Sequence, residues 1–428
     1  MSGRDTMGRL LLLIPTTSYR VGDFLEAARR LDVEVAVGSN RRQVLEKYAQ
    51  GGTVTLDFRN IEKGVEQILA YARKYPLKAI VPVDDEPVLL AAKASRALGL
   101  PHNAPESVEA TRNKYRFRTR LANSGLPSPR FTLLSVGDDP AKAARLAAYP
   151  CVLKPLALAA GRGVIRADDA AAFAAAFRRI ARILKQPDAA ADGEAGDHIL
   201  VEEYIPGAEV ALEGLLRGGR LNVLALFDKP DPLEGPIFEE TIYVTPSRLT
   251  DEAQRGIIAT TAKALAVLGL RDGPVHAELR INGRVPWMLE VAARSIGGLC
   301  ARALRFGAGI GLEELILRHA LGLPIASLRR ESRAAGVMMI PVPRAGILRQ
   351  VLGLESARSV PGVEDVTITI PRGQEIVPLP EGYKYLGFIF AKADSPGAVE
   401  AALREAHRRL DFAIEPPVSD SGVSSEAG

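Results

Sequence analysis

Two alternating runs on either side of Asn282-Gly283 confine residues 276–291 to a β-hairpin, and that hairpin carries two glutamates whose placement limits what the chain can do. In HAELRI, Ala277, Leu279 and Ile281 fall on one face and His276, Glu278 and Arg280 on the other. Val285, Trp287, Leu289 and Val291 make the matching apolar row on the return strand. A two-residue Asn-Gly loop would set Glu278 against Trp287 and mix the faces, because side chains alternate with period two. The rows therefore predict a loop longer by one residue, reaching Arg284, with Glu278 and Glu290 on one face and opposite or nearly so. Like charges directly across a strand pair are destabilising. The pair requires a cation between its members or solvent to screen them.

A length of 428 residues with 47% hydrophobic content supports two or three domains with ample core. The 55 basic and 51 acidic residues are interspersed, and the net charge of +4 comes without a basic block, so no nucleic-acid partner is implied or expected. Cys151 and Cys300 have no CxxC spacing and the five histidines are scattered, so neither a disulfide framework nor a thiolate metal site is indicated. No apolar run approaches the ~20 residues of a membrane span, and the run from Leu10 to Ile14 is too short for a signal-peptide core. The expectation is a soluble, unprocessed cytoplasmic protein with no membrane partner.

From Arg9 to about Ser135, short apolar runs alternate with helical periods: LLLLI, then VEVAV, a helix, TVTL, a longer helix and KAIVPV. This is a parallel α/β pattern. PTTSYRVG follows the first strand where a dinucleotide fold would carry GxGxxG, which disfavours a nicotinamide dehydrogenase. From about Phe131 to Leu323 longer strands and hairpins take over, as in EVALEGLLRGGRLNVLALF with Gly218-Gly219 at its turn, and the segment reads as α+β. A helix is predicted over Asp251–Leu268, with a stripe of Ile257, Thr261, Ala264, Leu265 and Leu268 and a stop at Gly269. QPDAAADGEAGD (186–197) reads as a polar loop, and a third, small α+β unit begins near Ala334 with GVMMIPVP.

Three further stretches carry candidate chemistry. In YPCVLKPLALAAGRGV a strand ends at Lys154-Pro155 and Gly161-Arg162-Gly163 introduces another; small residues let backbone amides approach a phosphate and the lysine adds a point charge. A hairpin turn with a solvated lysine fits the same residues. In HILVEEYIPGAEVALEG, the linker at Glu202-Glu203-Tyr204-Ile205 could pair its backbone with an adenine edge while Glu209 faces ribose hydroxyls; a solvent-exposed acidic turn fits as well. In TRNKYRFRTRLANSGLP, Lys114 stands at a helix start and Gly125 at its stop, and the five basic residues from Arg112 to Arg120 read as a solvated helix face.

Their order along the chain resembles the ATP-grasp family: a lysine before a helix, YPxVLKP with a glycine-rich turn, VEEYIxGxE, then an E…E hairpin ending in an arginine. The nucleotide-binding motifs extend over roughly residues 80–325. Within the family the chain looks most like carboxylate–amine ligases of the L-amino-acid ligase, dipeptide-forming type, because EVAARSIGG has Ala292 where many relatives carry asparagine. The resemblance implies an ATP-grasp fold of mixed α/β and α+β class. It places an N-terminal parallel α/β domain at 1–110, the ATP-grasp subdomains at 111–325, a small C-terminal α+β domain at 326–415 and a disordered tail at 416–428.

By the same resemblance Lys114 and Lys154 contact ATP phosphates, Glu202, Tyr204 and Ile205 the adenine, and Glu209 the ribose. Glu278 and Glu290 hold magnesium, for which manganese could substitute, and Arg294 faces the carboxylate substrate and its acylphosphate. Ala292 removes an amide oxygen from the second metal's shell, which water or phosphate oxygen would replace. Gly297-Gly298, ahead of a helical run LCARALRF, would bring a helix N-terminus to the reacting anion. Lys229, Glu239 and Glu240 are candidates to line the substrate cavity, surface charge being the commoner fate of such residues. The implied function is ATP-dependent joining of a small carboxylate, such as an amino acid, to an amine, and the family admits a homodimer. Two rivals share the motifs: a biotin-dependent carboxylase, and a nucleotide-binding sensor without turnover.

Overall fold

The computed structural model describes residues 9–41, 51–189 and 193–416. The helix expected between VEVAV and TVTL falls on 42–50, outside the described residues, as do 190–192 of the polar loop and 417–428 of the tail. The first strand, Arg9–Leu13, lies between Val35–Ser39 and Leu77–Pro82, with Thr53–Thr55 beyond, and all these pairings are parallel. Its unbroken apolar run follows from burial on both faces. Leu10 and Leu12 pack with Phe24, Leu315 and Ile316, while Leu11 and Leu13 pack with Ile68 and Leu90.

A second sheet, antiparallel, orders Phe131–Ser135, His198–Glu203, Cys151–Pro155 and Ile165–Ala167, covered by the helix Ala170–Ile183. The Lys154 strand and the strand after the glycine-rich turn are both present as the sequence predicts, and the structure pairs them as neighbours. Between the second sheet and the central one runs the linker Tyr204–Gly207, and Gly207 is there for a reason: at φ +116° a β-carbon would sit 2.0 Å from the Ile281 carbonyl oxygen. The linker thus passes hard against the hairpin.

The central sheet has eight antiparallel strands, from Val285–Ala292 at one edge through Gly273–Asn282, Ala208–Arg217, Arg220–Asp228, Ile242–Thr245, Ala334–Ile340 and Gly387–Ala393 to Val363–Ile368. The C-terminal α+β unit expected to start near 326 is therefore hydrogen-bonded into the same sheet, through Ile242–Thr245 pairing with Ala334–Ile340. Hydrophobic pattern reveals strands but not which strands pair across a hundred residues. The helix Asp251–Leu268 buries the predicted stripe and stops at Gly269 in a left-handed conformation. One expectation fails: LCARALRF forms a single 3-10 turn at Cys300–Ala303 and a short strand at Arg305–Phe306, so no α-helix N-terminus follows Gly297-Gly298. Gly298 instead packs where a β-carbon would be 2.8 Å from the Phe388 ring, so the backbone is buried against the sheet and not extended into a helix. Among the described residues no helix is long and apolar enough to cross a membrane.

Candidate functional site

The hairpin brings Glu278 and Glu290 directly opposite, by a route different from the one expected. The loop is Gly283-Arg284, with Asn282 paired to Val285, and this register continues to Leu279 with Met288. A bulge then inserts Leu289, and Glu278 pairs with Glu290. The inserted residue changes the faces. Met288 and Val291 are buried in the core, whereas Leu289 and Glu290, consecutive in sequence, both face one cavity. The apolar row predicted as Val285, Trp287, Leu289 and Val291 is thus broken, because period-two reasoning holds only for a regular ladder.

That cavity is lined by eight of the nine predicted site residues: Lys114, Lys154, Glu202, Tyr204, Ile205, Glu209, Glu278 and Glu290. Arg294 is the exception. Its guanidinium reaches across to Asp85 (2.6 Å), on the loop after the strand Leu77–Pro82, and to the Ser295 carbonyl (2.9 Å). Burial disfavours its charge, but Asp85, Asp84 and Glu290 outweigh burial and raise its pKa, so it stays cationic. The carboxyl ends of parallel strands are where open α/β sheets receive ligands, and Arg294 stands at that edge.

Lys114 begins the helix Lys114–Ser124, capped by Asn113 and stopped by Gly125 as expected. Its ammonium donates to the Leu158 carbonyl (2.7 Å) and lies 3.8 Å from Glu290. The basic run on this helix is not a solvated face throughout: Arg118 is 1% exposed and grips Glu202 through Nε (2.7 Å) and Nη2 (3.1 Å). Glu202, 2% exposed, also accepts from Lys154 (2.7 Å). Burial would raise its pKa, but the charges and hydrogen bonds of Arg118 and Lys154 hold it down to about 2. Both oxygens of the Glu202 side chain are therefore engaged, by Arg118 and Lys154. In the linker Tyr204 stacks with Phe238, 6.4 Å between ring centroids, and Arg166 and Arg280 lie over the Tyr204 ring.

Beside the linker is a cluster of charge that joins the predicted site residues Glu209 and Glu278 to Lys229 and Glu240, candidates for the cavity wall whose commoner fate would have been the surface. Lys229, its side chain 2% exposed, donates to Glu209 (2.8 Å), Glu240 (2.6 Å) and Glu278 (2.9 Å). Arg280 pairs with its cross-strand partner Glu209 (2.9 Å), and His276 with its partner Glu213 (2.5 Å). Desolvation and the Glu278 charge push the Glu240 carboxyl up to about 7, while Lys229 and His276 overcome the burial of Glu278 and lower its pKa. The signal for this cluster was present. Glu209 and Glu213 occupy one face of a ten-residue strand that is otherwise apolar up to its terminal Arg217, and His276, Glu278 and Arg280 occupy the facing positions of the next.

The glycine-rich turn is pinned from outside. Gly163 N–H donates to the Pro380 carbonyl (3.0 Å), Arg162 pairs with Asp188 (3.0 Å) and packs on the Tyr383 ring, and Arg179 makes a two-point pair with Glu381 (2.6 and 2.7 Å).

Residues 147–303 match the model of the ATP-grasp domain, residues 25–102 that of the ATP-grasp N-terminal domain, and residues 338–415 that of the L-amino acid ligase C-terminal domain 2. The chain carries an ATP-grasp domain. This ATP-grasp chain superimposes on the L-amino acid ligase from Bacillus licheniformis with a TM-score of 0.76 and 26% identity, covering 95% of this chain and 99% of the other. It is 28% identical over 271 residues to the alanine–anticapsin ligase of Bacillus subtilis, which covers 60% of this chain and 56% of the ligase. It is 30% identical over 237 residues to the dapdiamide A synthase of Enterobacter agglomerans, covering 55% of this chain and 54% of the synthase. The matches to these two curated ligases thus span about half of their length.

The ATP-grasp fold implies magnesium with the nucleotide, and the donor set here fits it. Three hydrogen bonds, from Lys229, His276 and Tyr243, converge on Glu278 Oε1, and among the described residues none reaches Oε2. Glu290 lies 3.8 Å from the Lys114 ammonium, and among the described residues no side chain hydrogen-bonds its carboxylate. Two hard carboxylate oxygens therefore remain for the cavity, of the kind magnesium takes. Glu209, Glu240 and Glu278 also bring oxygens within 4.8 Å of one another, but Lys229 already supplies the cation among them.

Proposed function

We propose that the protein is an ATP-dependent carboxylate–amine ligase that joins an amino acid, or a similar small carboxylate, to an amine through an acylphosphate. The observation that carries this reading is the gathering of Lys114, Lys154, Glu278 and Glu290 around one cavity, with Arg294 anchored beside it at the carboxyl edge of the N-terminal sheet. The C-terminal match to L-amino acid ligases favours amide formation over biotin carboxylation. A group fixed at the position of Arg294 favours turnover over nucleotide sensing.

In the first step a carboxylate oxygen attacks the γ-phosphorus of ATP, the bond to the β,γ-bridging oxygen breaks, and ADP leaves. The amine nitrogen then attacks the acyl carbon, phosphate departs, and the nitrogen gives up a proton to leave an amide. Phosphorylation is needed because oxide is a poor leaving group. Lys114 and Lys154 stabilise the phosphoryl oxygens by charge, and Glu202 keeps Lys154 aimed at them. Glu278 and Glu290 would hold magnesium, which neutralises phosphate charge when bound; manganese could substitute. Arg294 exchanges Asp85 for the substrate carboxylate and then holds the oxyanion formed by amine attack. Tyr204, Ile205 and Phe238 receive the adenine, and Glu209 the ribose.

The test is a panel of amino-acid pairs assayed for ADP, phosphate and amide product by mass spectrometry. Amide formed in step with ADP supports the reading. Carboxybiotin formed with bicarbonate would replace it by the carboxylase, and nucleotide binding with no product across the panel would replace it by the sensor.

A further inference from the structure

Arg118 is not itself one of the residues that line the cavity, yet four acceptor atoms at or behind that lining end on it. Two are the carboxylate oxygens of Glu202 (2.7 and 3.1 Å), whose Oε2 is shared with Lys154. The other two are main-chain carbonyls: Nη1 donates to Met288 (3.3 Å) and Nη2 to Leu289 (2.7 Å). Those carbonyls belong to the bulge that inserts Leu289 and so brings Glu290 opposite Glu278. A bulge leaves backbone groups outside the ladder, and each must find another partner when buried. One planar guanidinium supplies donors to both.

We propose that Arg118 is a positioning residue that couples the phosphate-facing lysine to the metal-facing acid. Its contact with Glu202 sets Lys154, and its contact with the bulge sets Glu290. The same helix presents Lys114 one turn earlier, so the helix, the second sheet and the hairpin meet at this side chain. The inference rests on reading the cavity as a site for a nucleotide and magnesium, and not on which bond the enzyme forms.

Lysine at this position retains the charge for Glu202 but lacks the fork that reaches two carbonyls as well. With the protein saturated in adenylyl imidodiphosphate, titration of Mg2+ into Arg118→Lys should show a half-saturating concentration raised about 10- to 100-fold, the scale of lost support to a metal ligand. Nucleotide affinity without metal should stay near that of the parent. Arg118→Gln keeps an amide donor for the carbonyls and gives up the ion pair, so it should weaken metal-free nucleotide affinity more than it shifts the Mg2+ requirement. A lowered melting temperature with an unchanged Mg2+ requirement in both variants would reduce Arg118 to a structural ion pair and overturn the proposal.

Hydrogen exchange in the unmodified protein tests the coupling without any variant. Adding Mg2+ to the nucleotide complex should slow exchange at residues 288–290 and 114–121 together, and independent behaviour of the two segments would overturn it. A parent that binds Mg2+ and nucleotide but makes no amide refutes the ligase reading and leaves this inference to the Arg118 results. A parent insensitive to Mg2+ refutes both.

Discussion

Glu278 and Glu290 are register partners across one hairpin, yet Glu278 is held by Lys229 and His276 within hydrogen-bond reach, whereas Lys114 stands 3.8 Å from Glu290. One acid belongs to a buried charge network and the other is the more exposed to the cavity.

Neutralising the two acids should therefore separate stability from activity. Glu290→Gln should leave the melting temperature unchanged and lower phosphate release on the order of 10²-fold. Glu278→Gln should lower release comparably and also destabilise the fold by about 1–3 kcal/mol, because Lys229 loses one of three charged partners. Near-normal release from both variants at saturating magnesium would remove them from metal binding.

Lys154→Ala should weaken ATP binding by roughly 10- to 150-fold, the equivalent of one charged hydrogen bond worth about 1.5–3 kcal/mol. A calorimetric titration showing unchanged affinity would mean that the ammonium serves Glu202 alone.

The depressed pKa of Glu202 predicts an acid limb to stability. Its folded pKa of about 2 lies below the ordinary 4.5, so the unfolded chain binds this proton first as pH falls. The contribution is full above about pH 4.5 and is lost progressively toward pH 2; at 1.36 kcal/mol per unit it amounts to about 3 kcal/mol. Denaturant midpoints between pH 6 and 2.5 should fall more steeply for the parent than for Glu202→Gln. Parallel slopes would contradict the assignment.

Arg294→Lys keeps the charge beside Asp85 but loses the two-point fork, so amide product should fall on the order of 10²–10³-fold while ATP still binds. Mass spectrometry of product alongside nucleotide titration separates the two effects, and equal product from parent and variant would exclude Arg294 from the mechanism.

The 380–383 loop contacts the glycine-rich turn at Gly163 and Arg162, and the loop is itself clasped to the helix Ala170–Ile183 by Arg179 with Glu381. Glu381→Gln should raise KM for ATP severalfold with kcat little changed, and proteolysis should cut more readily near residues 158–163. An unaltered KM would show that the turn closes without this clasp.

Local pattern was enough for the parallel N-terminal strands, the Asp251–Leu268 helix, the helix from Lys114 to Gly125 and the shared face of His276, Glu278 and Arg280, because each depends on the chain's own periodicity and caps. The gathering of Lys114, Lys154, Glu202, Tyr204, Ile205, Glu209, Glu278 and Glu290 was legible only through the resemblance of the motif order to the ATP-grasp family, because no local pattern says which segments meet. What remained was long-range. That Ala334–Ile340 joins the central sheet, that Leu289 is bulged out of register, that Arg118 is buried and that Lys229 lies among three glutamates all depend on partners far away in sequence. A charged residue on a helix or strand reads the same whether it meets water or a carboxylate from another element. Only the packed structure decides which, because the low dielectric that makes an unpaired buried charge costly is itself a product of the packing.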